Sequence, residues 1–151
     1  MRRIQKVLLA CAVLAFVGCG ERATTVEEYY TREVKLPNGK KIRAEVMINP
    51  TDMMRGMMFR DSIAPNRGML FIHSSLEPHR YWMFQVKIPL DIIWMDENRR
   101  IVEISANTPP CQTGASDCQQ YGGAAPSLYV LEVGGGVAAK HNLRVGQQLS
   151  F

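Results

Sequence analysis

The chain has 151 residues, 46% of them hydrophobic, which is mass for one domain with a real core and too little for several. Its formal charge is +4, yet Arg2, Arg3 and Lys6 lie in the first eighteen residues, which hold no acid; of 18 basic and 14 acidic side chains, 15 and 14 remain beyond that segment. So balanced a domain lacks the basic surface of a nucleic-acid reader, and no nucleic-acid partner is expected.

The N-terminus, MRRIQKVLLACAVLAFVGCG, starts cationic and turns apolar over residues 7–17. That run is short of the roughly 20 residues a permanent membrane span needs, and suits the core of a signal peptide. The tetrapeptide FVGC resembles a bacterial lipobox, with Phe16 where leucine is usual and Cys19 as the lipidated residue. Cys11, in LLAC, is a second candidate but leaves only residues 7–10 as hydrophobic core. An uncleaved helical anchor, or cleavage without lipidation, is the competing reading. The expected organisation is a lipoprotein signal peptide over 1–18, a polar tether over 19–32 and a single domain over 33–151. The membrane is then a partner through the lipid. Gly20, in place of the aspartate that commonly retains lipoproteins at the inner membrane, points to the periplasmic face of the outer membrane or the cell surface.

Residues 33–48 read as a β-hairpin, because Asn38-Gly39 tolerates the positive φ of a tight turn. Beyond the turn Ile42, Ala44, Val46 and Ile48 alternate with Lys41, Arg43, Glu45 and Met47, as in a half-buried strand. After Asn49-Pro50, Thr51 or Asp52 can cap a short helix running through MMRGMM, which Gly56 and Pro65 keep short. GMLFIH is a buried strand. HRYWMFQV is another, with Trp82, Phe84 and Val86 on one face and Tyr81, Met83 and Gln85 on the other. LDIIWMD, a polar DENRR turn and RIVEISA make a strand pair. Residues 107–126 form a long loop holding Cys111 and Cys118. Six intervening residues are too many for a typical zinc pair and no histidine is near, so a disulfide is expected in an exported chain. LYVLEVGGG is a strand, VAAKHNL one or two helical turns, and RVGQQLSF a final strand. Seven or eight short strands with two small helical pieces describe a mostly β fold, a compact sandwich or irregular barrel.

RGMMFR, RGMLFIH, YWM, IPLDIIWMD, IVEI, YVLEV, a glycine run and RVGQQL occur in that order. The succession resembles the domain of unknown function 192 family, small bacterial and archaeal proteins that are often exported, over roughly residues 33–151. The resemblance implies a compact, mostly β domain and carries no activity. Two departures stand out. The family's Asn-Thr pair after the Trp-Met is Gln85-Val86 here, and its Gly-Asp near the end is Gly146-Gln147.

Two groups of residues are candidates for chemistry. Met53, Met54, Met57 and Met58 would stack in pairs four apart on a helix, and thioethers suit Cu(I). Methionine is also a flexible core filler, and a short helix needs an apolar face to stay docked, so packing is the preferred reading. Arg55, Arg60, Asp91 and Glu132 form the second group. A carboxylate inside LYVLEV must face solvent or find a partner, and the arginines of the methionine helix are the expected ones. Such a network is structural, an anion or sugar site, or an acid/base pair of Asp91 and Glu132. Core packing is expected of Trp82, although an exposed aromatic beside arginine can stack on a sugar.

No nucleotide loop or catalytic triad is present, and Gly134-Gly135-Gly136 is weak evidence for phosphate binding. The reading is a lipid-anchored, non-catalytic binding module without a cofactor, for a glycan, a small anion or an envelope protein. Its ligand-binding residues would be Arg55, Arg60, Trp82, Asp91 and Glu132. The alternatives are a periplasmic Cu(I)-binding protein and a glycan-modifying hydrolase.

Overall fold

A computed structural model describes residues 30–151. The expected signal peptide over 1–18, lipidation at Cys19 and nearly all of the tether lie outside the described residues. Eight strands fall into a six-stranded sheet and a two-stranded ribbon, so the fold is mostly β, as expected.

The first hairpin forms as read. Strand β1 (Thr31–Lys35) pairs antiparallel with β2 (Lys41–Met47), Val34 opposite Ile42. Gly39 adopts φ +79, and the Asn38 side chain accepts from the Lys40 N–H at 3.1 Å, which closes the turn. The next step was not expected. Strand β3 (Arg67–Glu77) runs parallel to β2. Parallel neighbours require the chain to return to the starting end of the sheet before pairing again. Helix α1 (Pro50–Arg55) and residues 56–66 make that return, and the methionines ride on it.

Helix α1 is capped by Asn49, two positions before Thr51, the nearer of the anticipated caps. The Asn49 side chain accepts from the Thr51 N–H at 2.9 Å, and Pro50 occupies the first turn, where a missing N–H costs nothing. Gly56, at φ +42, ends it. Met57 and Met58 therefore lie beyond the helix, and the expected helical stacking of Met53 on Met57 and Met54 on Met58 does not occur.

Strand β4 (Arg80–Trp82) is shorter than HRYWMFQV implied, because the chain turns away at Met83 and Gln85 takes φ +56. It pairs only with β7 (Gln120–Gly122), Tyr81 opposite Tyr121. Strands β5 (Leu90–Met95) and β6 (Ile101–Thr108) form an antiparallel pair. Their turn is fixed by Asp96, whose carboxylate accepts from the N–H groups of Asn98 and Arg100 at 2.9 and 2.8 Å. Cys111 and Cys118 form the expected disulfide, with Cα atoms 5.8 Å apart. For so small a loop the bridge is worth about 2.5 kcal/mol through the unfolded chain.

Strand β8 (Ser127–Gly134) inserts between β3 and β5, giving the order β1-β2-β3-β8-β5-β6. Helix α2 (Val137–Lys140) follows. RVGQQLSF does not form the expected final strand. It touches the sheet through two isolated bridges, Lys35–Ser150 and Arg100–Gln148, because the turn held by Gly146 and Gln147 bends it across the sheet's end.

Both faces of the sheet carry a core. Ile42, Leu70, Ile93, Leu131 and Val133 face one core, closed by Val137, Leu143 and Leu149. Phe71, Leu90, Ile92, Trp94 and Val130 face the other, closed by Met57, Met83 and Val86. Full burial of one such aliphatic side chain is worth roughly 1.5–3 kcal/mol, and alternation along β8 supplies both cores from one strand.

Candidate functional site

Helix α1 crosses the second face of the sheet without closing on it completely. A groove opens on each side, and a smaller space of about 30 Å³ lies beneath. The sequence candidates other than Asp91 surround these three openings.

Glu132 lies at the base of the small space. Alternation along β8 turns it toward the second core, between Met69 of β3 and Ile92 of β5. It is 5% exposed, and its Oε2 atom has no hydrogen-bond partner among the described residues. Burial pushes its carboxyl up to about 8, so the acid is mainly protonated at neutral pH. The neighbouring wall holds Met53, Met54, Met57 and Met58, together with Phe71, Trp82 and Phe84.

Asp91 goes the other way. It is fully buried in the first core, where its carboxylate accepts from the N–H groups of Asn107, Gly136 and Ala138 at 2.6, 3.1 and 2.6 Å. It therefore fastens the triple-glycine turn and the start of α2 to the sheet. The donors that a phosphate would need at that turn are already engaged. The expected acid/base pair is not assembled: Asp91 and Glu132 share neither face nor cleft.

The arginines do not meet these carboxylates either. Arg60 pairs in two-pronged fashion with Glu45, at 2.8 and 2.6 Å, and Arg67 approaches the same carboxylate at 3.7 Å. Glu45 is only 7% exposed, although the alternation of β2 places it among outward-facing residues. The crossover segment covers that face, a long-range fact with no local signal in the sequence. Arg55 is exposed at the end of α1, beside a groove of about 400 Å³ that also contains Asp52 and Glu45. Arg60 also lines it, so two guanidinium groups and two carboxylates leave the groove balanced in charge.

The aromatic expectation is reversed. Tyr81 enters the core, edge-on to Phe71 and Trp94, with centroid separations of 5.2 and 5.9 Å. Its hydroxyl hydrogen-bonds with His73 Nε2 at 3.0 Å, and burial, followed by the Glu132 charge, raises the phenol. The buried tryptophan is Trp94, whose indole N–H donates to the His79 carbonyl at 2.9 Å. Trp82 is half-buried and leans on Phe84, with centroids 5.4 Å apart. It borders a groove of about 380 Å³ on the other side of α1, along with His73, Arg80, Gln120, Met53 and Met54. His73 stacks on His79 at 3.4 Å, and burial lowers its imidazole to about 4, with His79 contributing, so it is neutral. Arg80 and Gln120 come together only because β4 pairs with β7, which the sequence did not reveal.

Among the described residues no group of three or more His, Cys, Asp or Glu side chains is placed to hold a metal ion, and no helix is long and apolar enough to cross a membrane.

The model of the DUF192 family, described as "Uncharacterized ACR", matches residues 33–151. Among solved structures, a protein of unknown function from Novosphingobium aromaticivorans DSM 12444 is 30% identical, with a TM-score of 0.71 over 80% of this chain and 84% of that one. A protein from Sinorhizobium meliloti 1021, described as a candidate transcription regulator, is 25% identical, with a TM-score of 0.69 over 78% of this chain and 89% of that one. No curated protein matches the chain significantly.

Proposed function

The chain belongs to the DUF192 family, and we propose that it is a lipid-anchored, non-catalytic binding module of the cell envelope whose ligand is a glycan held against Trp82. The observation that carries this reading is the Trp82 groove. Sugar rings present apolar C–H faces that stack on an indole, and equatorial hydroxyls that need donors and acceptors around the rim. Trp82 offers the face, while Arg80, His73 and Gln120 surround it with polar groups and the Met53 and Met54 side chains form an apolar flank. A groove of about 380 Å³ is of a size for one or two sugar units.

Absence of catalysis is supported by the fates of the two carboxylates. Asp91 spends its acceptors on backbone N–H groups, and Glu45, the acid that shares the Glu132 face two strands away, is held by Arg60. The lipid anchor rests on the cationic start, the apolar run and Cys19.

The test is co-sedimentation of the full chain with purified peptidoglycan sacculi, alongside Trp82→Ala and a thermal melt of each. Retention of the wild type and loss of it in a variant that still melts cooperatively supports the module. If the wild type remains in the supernatant, the assignment to an envelope glycan fails. For the anchor, Cys19→Ser should move the protein from the membrane fraction to the soluble one.

A further inference from the structure

The space beneath α1 has a composition that the glycan reading leaves unused. Met53, Met54, Met57 and Met58 all border it, and so does the Glu132 carboxyl group, 5% exposed and with an oxygen that has no hydrogen-bond partner among the described residues. Buried polar atoms are nearly always satisfied, so such an oxygen beside a void asks what fills the void. At about 30 Å³ the space admits a water molecule or a single ion, and no sugar.

We propose that Met53, Met57, Met58 and Glu132 form a binding site for one soft monovalent cation of the Cu(I) class. Thioether sulfur is a soft, neutral ligand that selects Cu(I) over the hard cations that carboxylates and carbonyls prefer. The ion takes the place of the carboxyl proton, which leaves to solvent, and the resulting carboxylate balances one positive charge, whereas a divalent ion would leave a charge uncompensated beside so apolar a wall. The other charged group on the lining, Arg55, is exposed and can keep its head in water, and the other titratable one, Tyr81, is held protonated by burial. Phe71 and Phe84 complete a water-poor wall, which strengthens the attraction between ion and carboxylate.

The break at Gly56 gives the arrangement its geometry. A continued helix would put Met53 and Met57 in one stack along the surface. The chain instead turns at φ +42, and Met57 drops to 2% exposure while Met54 remains 65% exposed. Met53 thus borders the space from the helix, and Met57 and Met58 from the segment beyond it.

This inference shares Met53 with the outer groove but takes no ligand from Trp82, and its readout is ion binding, so it can fail while the glycan reading stands. The experiment is an anaerobic titration of the full chain with Cu(I) against a competing chelator, repeated with Ag(I), and followed by X-ray absorption of the loaded protein. Variants are Met53→Leu/Met58→Leu, Glu132→Gln and, as a control, Met83→Leu. Leucine for methionine nearly conserves volume, so these variants keep the core filled. Met83 is buried in the same core and does not border the space. The expected result is one ion per chain with sulfur in its coordination sphere. Binding should be lost in the double variant, weakened in Glu132→Gln and unchanged in Met83→Leu. Absence of binding, an oxygen-only environment, or an equal loss in the Met83 control would each overturn the site.

Discussion

Asp91 and Glu132 stand on hydrogen-bonded neighbouring strands, and their carboxylates leave the sheet in opposite directions. Asp91 lies opposite Val133 and Glu132 opposite Ile92, one step out of phase. A single step along a strand reverses the face, so two acids that look like partners in the sequence live in different cores. One is saturated with backbone donors and the other has an oxygen with none, and their mutational behaviour should diverge accordingly.

For Glu132 the folded carboxyl titrates near 8 against an ordinary 4.5. The folded state therefore holds the proton more tightly than the unfolded chain. Its contribution is fully present below pH 4.5 and is lost as the pH rises through 8. Relative to Glu132→Gln, whose amide does not titrate, the wild type should lose stability between pH 5 and 8 by on the order of a few kcal/mol and then level off. Urea unfolding of both proteins at several pH values measures the difference, and the subtraction removes the His73 contribution, which has the opposite sense. Parallel profiles would show that Glu132 is ionised in the native state.

Replacing Asp91 by alanine strands three N–H donors, those of Asn107, Gly136 and Ala138. Each unsatisfied buried group costs roughly 1–3 kcal/mol, so Asp91→Ala should lose at least ~3 kcal/mol or fail to fold. Asp91→Asn keeps acceptor oxygen and should lose less. Denaturation midpoints of the two variants decide the order.

Arg60→Ala should leave the buried Glu45 carboxylate with Arg67, 3.7 Å away, as its remaining cation among the described residues. The expected loss is ~2 kcal/mol, at the low end for a broken buried pair because Arg60 is partly solvated. Glu45→Gln/Arg60→Ala should recover part of it, and the double-mutant cycle reports the coupling directly.

Gln85 holds a left-handed backbone, φ +56, which glycine or asparagine adopts more readily. Gln85→Gly is expected to stabilise the domain or leave it unchanged, and Gln85→Asn to gain up to ~1 kcal/mol, read from the shift in melting temperature. A loss above that size in both would mean that the glutamine side chain has a role of its own.

Local chemistry was legible in the sequence. Asn38-Gly39 produced its turn, Asp96 closed the next hairpin, Cys111 met Cys118, and the alternation of Ile42 and Ala44 against Arg43 and Glu45 placed the right residues in the first core. What stayed hidden depends on pieces distant along the chain. Glu45 looked solvated because nothing on β2 announces that residues 56–66 will cover it. Trp82 and Tyr81 exchanged their expected environments because β4 ends at Trp82 and pairs with a strand nearly forty residues away, which fixes the face that Tyr81 turns inward. The methionine segment read as one helix, and Gly56 instead divided it into an exposed half and a buried half. The candidate site was therefore legible as a set of residues and illegible as an arrangement.

The place of β8 governs how the molecule can be made. The earlier strands of the six-stranded sheet form two blocks, β1-β2-β3 and β5-β6, with no ladder between them until β8 is laid down. A chain leaving the ribosome must extend past Gly134 before those blocks can join, and until then each presents an open edge. Nascent protein is thus held back from premature closure by the order of its own strands, and its most vulnerable interval is the synthesis of residues 109–134, between the end of β6 and the end of β8.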